Sequence, residues 1–288
     1  MKAAIYSQKK DLETFLYLSK FISELYDRGI EVVLYQKLYK DLEFSKEFKT
    51  FTQKSDLEKE GVDMFFSFGG DGTILNALLY IQDLNIPVVG VNTGRLGFLA
   101  KFTKESIFLE MDNIIEGNIK ISKRSVLKIT SSSNALDFPY ALNDVTISCS
   151  DTTSMITVET HIDGDFLTTF WADGVIVSTP TGSTAYSLSC GGPIISPHSD
   201  NFSLTPIAPH NLNVRPLILE EDAIISFKVA SRATGFTLSL DSRLYQLQIN
   251  EELTVQKANF QLSLIQPLNY SFFNTIRQKL SWGTDKRN

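Results

Sequence analysis

The sequence has few residues of the two types that most often bind zinc or form disulfides. Its 288 residues include 2 cysteines, Cys149 and Cys190, and 3 histidines, His161, His198 and His210. Two cysteines in separate segments do not make the disulfide framework of a small secreted domain. The histidines also lack the spacing of a zinc site, so we interpret them as surface or hydrogen-bonding residues.

Long apolar runs and an excess of positive charge are absent as well. No stretch of about 18 apolar residues occurs, and the chain runs from Met1 into a strand-like segment without the pattern of a signal peptide. Acidic residues number 33 and basic residues 27, which gives a formal net charge of -6. This balance argues against nucleic acid or an anionic membrane as a partner. We therefore expect a cytoplasmic protein without nucleic-acid or membrane partners.

Two familiar phosphate-binding motifs are missing. The sequence contains no Gly-x-x-x-x-Gly-Lys-Ser/Thr, which excludes a P-loop. It also has no Gly-x-Gly-x-x-Gly after a strand, so the fingerprint of a Rossmann dinucleotide site is lacking.

A different glycine-rich loop, Gly69-Gly70-Asp71-Gly72-Thr73, is the first positive signal. The apolar run 64–68 before it predicts a buried strand, and residues 74–80 after it predict a helix. Glycines at a strand-to-helix turn let phosphate oxygens approach backbone amides. Asp71 among these amides suggests a proton acceptor or a cation ligand. The alternative is that Asp71 only caps the following helix.

The pattern of apolar residues changes near residue 120. Residues 1–120 alternate short apolar strands with amphipathic stretches, which predicts an α/β domain with a Rossmann-like parallel sheet. Residues 121–265 alternate at the period of strands, which predicts an all-β domain. Residues 266–288 return to a helical pattern, and we expect this helix to pack back on the first domain.

Within these domains the sequence makes local predictions. A helix is expected over residues 105–115, and Asp163-Gly164 predicts a tight hairpin. The predicted strands of the second domain are 126–130, 141–148, 155–161, 165–171, 223–230, 236–240 and 253–257.

A second polar segment follows the strand that contains Asp173 and ends at Pro180. Residues 181–189 offer several hydroxyl groups, and the ring of Tyr186 could support a base or ribose. Helix capping is the alternative explanation of the hydroxyl groups. Asn143-Asp144 also departs from its surroundings, because both residue types are disfavoured within strands.

In this order the motifs resemble those of the NAD kinase family. The likeness covers nearly the whole chain, and the segments that carry it are residues 69–73, 90–99, 143–144 and 173–194. The first motif is shared with diacylglycerol, sphingosine and phosphofructo-type kinases. The second is much more particular to NAD kinases.

The resemblance implies transfer of the γ-phosphoryl group of ATP to the 2′-hydroxyl of the adenosine ribose of NAD, with Asp71 as proton acceptor. It also implies a β-sandwich second domain, a divalent metal such as Mg²⁺ bound with ATP, and a homodimer or homotetramer. The residues assigned to the dinucleotide are Asp71, Gly72, Asn76, Asn143, Asp144, Trp171, Asp173, Thr184, Ala185, Tyr186, Ser187, Leu188, Ser189, Ala208 and Arg243. Those assigned to ATP or phosphate are Gly69, Gly70, Thr73 and Arg95.

Three positions depart from the family pattern. Trp171 and Asn76 stand where many relatives carry a basic residue, and Arg243 ends an Asp-Ser-Arg in place of the more usual Asp-Gly-Gln. Arg243 could form a charged hydrogen bond to a phosphate, whereas Trp171 could stack on the ligand. Two other functions remain open: a lipid or sugar kinase with the same glycine loop, and a catalytically silent NAD(P)-binding regulator.

Overall fold

The computed structural model of the protein describes residues 1–9, 11–41, 47–94, 97–133, 135–150, 155–231 and 234–283. The chain forms two compact units, Met1–Lys123 together with Leu262–Asn288, and Arg124–Gln261. Within the described ranges, none of the helices has the length and apolar character needed to cross a membrane.

The first unit alternates strands and helices, as the sequence predicts. Its elements in chain order are β1 (Lys2–Ser7), α1 (Leu12–Asp27), β2 (Glu31–Tyr35), α2 (Gln36–Asp41), β3 (Lys49–Phe51), α3 (Lys54–Glu60), β4 (Met64–Gly69), α4 (Asp71–Ile81), β5 (Val88–Asn92), β6 (Phe102–Thr103), α5 (Ser106–Leu109) and α6 (Met111–Ile115).

The strands of this unit form a parallel sheet in the order β3-β2-β1-β4-β5, and β6 adds parallel to the end of β5. All residues of β4 and β5 are buried, as expected for strands covered on both faces. That burial explains why the strands read as uninterrupted apolar runs in the sequence. The register pairs Gly69 with Asn92, so β4 and β5 end at the same level.

Helix α1 shows how sequence signals fix the helices that cover the sheet. Asp11 caps its start by accepting a hydrogen bond from the amide of Thr14 at 2.8 Å. Gly29 follows its end with φ 73°, a conformation that favours glycine. Phe21 on the buried face packs edge-on against Phe66 and Phe68 of β4, with ring centroids 5.1 and 4.9 Å away.

Where the structure describes it, the second unit is built from strands, with a 3₁₀ helix (Gly182–Thr184) and a short α-helix in the polar segment. The elements that follow in the chain are β7 (Lys120–Ser131), β8 (Tyr140–Ala141), β9 (Asp144–Cys149), β10 (Ile156–Ile162), β11 (Asp165–Ala172), β12 (Gly174–Ser178), α7 (Tyr186–Ser189), β13 (Asn201–Ile207), β14 (Leu217–Glu220), β15 (Ile225–Ala230), β16 (Gly235–Leu240), β17 (Arg243–Gln248) and β18 (Glu252–Gln266). The last helix, α8 (Phe272–Leu280), belongs to the first unit.

Two antiparallel layers make the second unit a sandwich. One layer has the order β14-β13-β12-β9-β16-β17, and the other contains β11-β10-β15-β18 with β7 beside β18. Their facing side chains form one core, to which Val158, Val175, Phe227 and Phe236 belong. The predicted fold class is confirmed: an α/β domain with a parallel sheet and an all-β sandwich.

The predicted hairpin is confirmed as well, because Asp163 and Gly164 join β10 to β11 with φ values of 51° and 89°. One helix differs from its prediction. The stretch 105–115 forms two short helices, α5 and α6, which meet at Glu110 with φ -95° and ψ 0°.

Three strands of the sandwich were not predicted from the sequence, β13, β14 and β17. β13 contains Pro206, which weakens a strand pattern, and β14 is a short edge strand without buried residues. β17 buries only one of its residues, Leu247, so its alternation is weak.

Candidate active site

Gly69 ends β4 and allows the chain to turn directly into α4. A Cβ atom at this position would lie 2.0 Å from Oγ1 of Thr73, so a larger residue does not fit without a shift. The Thr73 amide donates to the Gly70 carbonyl, and the Gly69 carbonyl accepts from the Thr93 amide, both at 3.1 Å. The loop thus lies at the carboxyl end of the parallel strands, where α/β sheets bind ligands.

Asp71, the first residue of α4, binds the chain that follows β5. Its Oδ2 atom accepts a hydrogen bond from the amide of Phe98 at 2.7 Å. Its Oδ1 atom accepts from the amides of Leu99 and Ala100 at 2.9 and 3.0 Å. Hydrogen bonds to an ionised acceptor are stronger than neutral ones, so this contact fixes both partners. We refer to Asp71 with residues 98–100 as the Asp71 clamp.

Gly97 makes room for the Asp71 clamp. A Cβ atom on Gly97 would lie 1.9 Å from Oδ1 of Asp71 and 2.7 Å from Oδ2. Glycine is required here for space, because a side chain would overlap the Asp71 carboxylate.

The other predicted residues of the first unit surround this turn. Gly70 and Gly72 are exposed at the start of α4, where amides without helical partners suit an anion. The side-chain amide of Asn76 donates to the Gly72 carbonyl at 3.0 Å. Arg95 lies outside the described residues.

Asn143 and Asp144 lie at the break between β8 and β9, which explains a polar pair inside a strand pattern. The carboxylate of Asp241 accepts the three successive amides of this segment: those of Leu142 at 3.0 Å, Asn143 at 2.7 Å and Asp144 at 3.3 Å. We refer to Asp241 with residues 142–144 as the Asp241 clamp.

The carbonyl groups of the same segment are also bound. The Thr179 hydroxyl donates to the Leu142 carbonyl at 2.6 Å, and the Thr179 amide donates to the Asn143 carbonyl at 2.9 Å. The Asp241 amide completes the set by donating to the Asp144 carbonyl at 3.0 Å. Residues 142–144 therefore have both edges of their backbone fixed.

Asp144 is a buried carboxyl group next to a like charge. Burial, and then the negative charge of Asp241, raise the pKa of Asp144 from 3.8 to about 7, while a hydrogen bond from Thr146 opposes the shift. Only 5% of Asp144 is exposed, and the Thr146 hydroxyl lies 3.2 Å from its Oδ1 atom. Near neutral pH this carboxyl group exchanges between its two protonation states.

The segment around α7 lies beside Asp144. Burial and the neighbouring Cys190 raise the pKa of Tyr186, with further contributions from the charges of Asp144 and Asp173. Gly182 permits a close approach, since a Cβ atom there would lie 2.1 Å from the Asn143 carbonyl oxygen. The structure thus brings these predicted residues together within the second unit.

The residues of this segment differ in exposure. Tyr186 and Ser189 are exposed, whereas Thr184, Ala185 and Leu188 are partly buried. Ser187 is fully buried, and its hydroxyl lies 3.1 Å from that of Thr205 on β13. Its observed contact is structural, and its contact with a dinucleotide stays a prediction.

Trp171, Asp173 and Ala208 meet where β11, β12 and β13 end or begin. The Trp171 ring packs 4.7 Å from the ring of His210, and the Trp171 carbonyl accepts from the His210 amide at 2.8 Å. Asp173 and Ala208 are exposed. Ala208 has φ 44°, a strained conformation for a residue other than glycine, and such strain concentrates at functional sites.

Arg243 is held by the protein itself. Its guanidinium donates to the Tyr140 carbonyl and lies 4.7 Å from the centroid of the Phe138 ring. Burial lowers the pKa of Arg243 despite the attraction of Asp241. Its contact with a dinucleotide phosphate stays a prediction.

Among the residues that shape this site, Gly97, Thr179 and Asp241 have no role that the sequence predicts. In the sequence, Asp241 stands out only as the start of an Asp-Ser-Arg that departs from the family pattern. The backbone of Asp241 has φ 56°, a conformation that glycine adopts without strain. This departure marks the residue as unusual, but the φ value is visible only in the structure.

Comparisons with known proteins agree with these motifs. The ATP-NAD kinase N-terminal domain model matches residues 8–119, and the ATP-NAD kinase C-terminal domain model matches residues 142–267. The chain is 43% identical to the NAD kinase of Christiangramia forsetii over the full length of both proteins. It is 45% identical to that of Cytophaga hutchinsonii, covering 98% of this chain and 92% of the relative.

Solved structures give the same result. Yeast NADH kinase complexed with NADH superposes with a TM-score of 0.89 at 25% identity, covering 99% of this chain and 88% of the yeast chain. An NAD kinase from Archaeoglobus fulgidus in complex with ATP has a TM-score of 0.76 at 26% identity, covering 98% of this chain and 99% of the other.

The first prediction concerns Gly97. Gly97→Ala should displace the Asp71 carboxylate and lower the free energy of unfolding by about 1–3 kcal/mol, because the added methyl group overpacks the clamp. Denaturant unfolding measures this change. Gly72→Ala is the matched control, since a Cβ atom there meets nothing within 4 Å. Equal stability of Gly97→Ala and the wild type would contradict the clamp.

The second prediction concerns the pH dependence of stability. Between its unfolded pKa of 3.8 and its folded pKa of about 7, Asp144 binds more protons in the folded state, so stability falls as pH rises across this window. Asp144→Asn removes this pH-dependent loss of stability, because the asparagine side chain does not titrate. We therefore compare the free energy of unfolding of the variant with that of the wild type at each pH. The difference, variant minus wild type, should be roughly 1–3 kcal/mol larger at pH 8 than at pH 4. Urea titrations at both pH values measure the gain, and a pH-independent difference would refute it.

Proposed function

The chain belongs to the ATP-NAD kinase family, and from this we propose how its residues divide the work of phosphorylating NAD. The protein is an ATP-dependent NAD kinase, which converts NAD to NADP. We assign the phosphate groups of ATP to the glycine loop before α4 and the dinucleotide to the polar segments of the second unit. The observation that carries this assignment is the position of Asp71, a carboxylate fixed by three amides at the start of a helix.

Asp71 serves as the proton acceptor for the 2′-hydroxyl of the adenosine ribose. A carboxylate offers about four acceptor positions, and the three amides of the Asp71 clamp leave one for a hydroxyl donor. The clamp also restricts the carboxylate to one orientation. Fixed orientation matters because phosphoryl transfer is catalysed mainly by alignment and charge neutralisation.

The start of α4 supplies donors for the transferred phosphate. Gly69, Gly70 and Thr73 shape this turn, and the helix dipole favours negative charge at its N-terminus. Arg95 keeps its proposed role at phosphate. A divalent cation such as Mg²⁺ would enter with the ATP substrate and would neutralise charge on its phosphate groups. Within the described ranges, no three His, Cys, Asp or Glu side chains are grouped so that they could hold a metal ion.

The dinucleotide is assigned to the second unit. Asn143 and Asp144 bind its ribose, and the exposed ring of Tyr186 stacks on it. Asp173, Ala208 and the partly exposed residues around α7 complete the set. The remaining predicted residues, Gly72, Asn76, Trp171, Thr184, Ala185, Ser187, Leu188, Ser189 and Arg243, keep their proposed roles at NAD.

The full-length matches favour this function over a lipid or sugar kinase with the same glycine loop. The NADH of the yeast structure and the ATP of the archaeal structure further support the choice of substrates. A silent NAD(P)-binding regulator differs from the enzyme in turnover alone, so the activity test below decides between them.

We also propose that the protein acts in the cytoplasm as a homodimer or homotetramer. Both cysteines are free thiols, which suits a reducing compartment. Leu167 and Leu212 of the second unit are exposed apolar side chains, which association would remove from water. Sedimentation equilibrium should give a mass of two or four chains of 32.3 kDa, and a monomer at all concentrations would contradict the proposal.

The third prediction concerns Asp71. Asp71→Asn should reduce NADP formation from ATP, Mg²⁺ and NAD by about 10²–10⁴-fold, because the amide cannot accept the hydroxyl proton. Its free energy of unfolding should fall by only about 1–2 kcal/mol, since one amide hydrogen bond of the clamp is lost.

Asp83→Asn is the matched control for this test. It removes the same charge from an exposed ion pair with Lys54 and should leave the rate unchanged. A folded Asp71→Asn variant that keeps more than a tenth of the wild-type rate would rule out the proton-acceptor role. A well-folded wild type that binds NAD but makes no NADP would leave only the regulator.

A further inference from the structure

The position of the Asp241 carboxylate is energetically costly. Asp241 occupies the turn between β16 and β17 with φ 56°, a left-handed conformation that glycine adopts freely and that Asp and Asn adopt more easily than other residues. Its carboxylate is partly buried, and burial raises its pKa even though three amides and Arg243 stabilise the charged form. A desolvated charge that binds three amides of a distant segment indicates that the side chain has a task beyond closing a hairpin.

The contacts of Asp241 identify that task. Both of its oxygen atoms are bound to the amides of residues 142–144, and its own amide binds the Asp144 carbonyl. Thr179 donates hydrogen bonds to the carbonyl groups of Leu142 and Asn143. Asp241 is thus bound to a segment that lies 97 to 99 positions earlier in the sequence. This segment contains Asn143 and Asp144, the pair that the proposed function assigns to the ribose.

Asp241 also acts on Asp144 through its charge. The groups that face Asp144 are Asp241 from the β16–β17 turn, Thr146 on its own strand, and Tyr186 and Cys190 from the α7 segment. Asp241 is the like charge in this set that raises the pKa of Asp144. Loss of this charge should lower the pH at which Asp144 gives up its proton.

We propose that Asp241 is a positioning residue for dinucleotide binding: with Thr179, it holds Asn143 and Asp144 in the geometry that the ribose of NAD requires. This inference rests on the proposed function, because it takes Asn143 and Asp144 as the groups that contact NAD. Asp241 itself acts through the backbone of these residues and through the protonation of Asp144. ATP, assigned to the first unit, does not depend on it.

The test is steady-state kinetics of the full chain with Asp241→Asn. Asparagine tolerates the left-handed backbone and keeps one acceptor oxygen, but its amide group faces the Leu142 amide as donor to donor. The KM for NAD should rise by about 10-fold or more, as expected for lost orientation of a binding group. The KM for ATP should stay within about 2-fold, and the pH midpoint of NAD binding should fall by about one unit.

Asp222→Asn is the matched control, because it removes an exposed carboxylate of the second unit and should change none of these values. The proposal is overturned if Asp241→Asn leaves the KM for NAD unchanged, raises both KM values equally, or leaves the pH midpoint in place. A wild type that makes no NADP contradicts the proposed function instead, and it does so before any variant is compared.

A second pair of variants covers the case in which Asp241→Asn does not fold. Thr179→Val removes the hydroxyl that binds the Leu142 carbonyl but keeps the size of the side chain, whereas Thr179→Ser keeps the hydroxyl. Thr179→Val should raise the KM for NAD with little effect on the KM for ATP, and Thr179→Ser should restore it. Equal KM values for NAD in the wild type and Thr179→Val would overturn the proposal.

Discussion

In each unit one aspartate carboxylate accepts hydrogen bonds from three successive backbone amides, and the candidate residues of that unit depend on this interaction. The two clamps have the same pattern: Oδ2 takes the first amide and Oδ1 takes the next two. The bound segments lie where regular strand pairing stops, so their amides lack ladder partners. Because a buried amide without a partner is costly, a charged side chain that satisfies three amides at once stabilises an irregular loop in one conformation.

The clamps also explain features that are unfavourable by themselves. Gly97 has no side chain because the Asp71 carboxylate occupies that space, and Gly182 has none because the Asn143 carbonyl does. Asp241 adopts a left-handed backbone that glycine would adopt freely, and Ala208 does the same at the edge of the predicted dinucleotide residues. At these positions the residue type or the backbone conformation is locally unfavourable, but it allows polar groups to be placed. This is expected where function outweighs stability.

The sequence predicts what depends on local patterns. Uninterrupted apolar runs identify β4 and β5, Asp163-Gly164 identifies a hairpin, and the glycine loop identifies the turn that holds Asp71. The clamps could not be predicted, because they join residues 27 to 29 positions apart in one unit and 97 to 99 in the other. The periodicity of apolar residues carries no information about contacts between distant residues. The task of Asp241 is therefore visible only in the structure, where its carboxylate lies against residues 142–144.

Amide hydrogen exchange of the wild-type chain, resolved for single residues by NMR, tests the central claim most directly. If the two carboxylates hold these loops, the amides of residues 98–100 and 142–144 should exchange as slowly as those within β4 and β9, despite lying outside or at the ends of strands. Exchange of either segment at the rate of an unstructured loop would show that its carboxylate does not hold it.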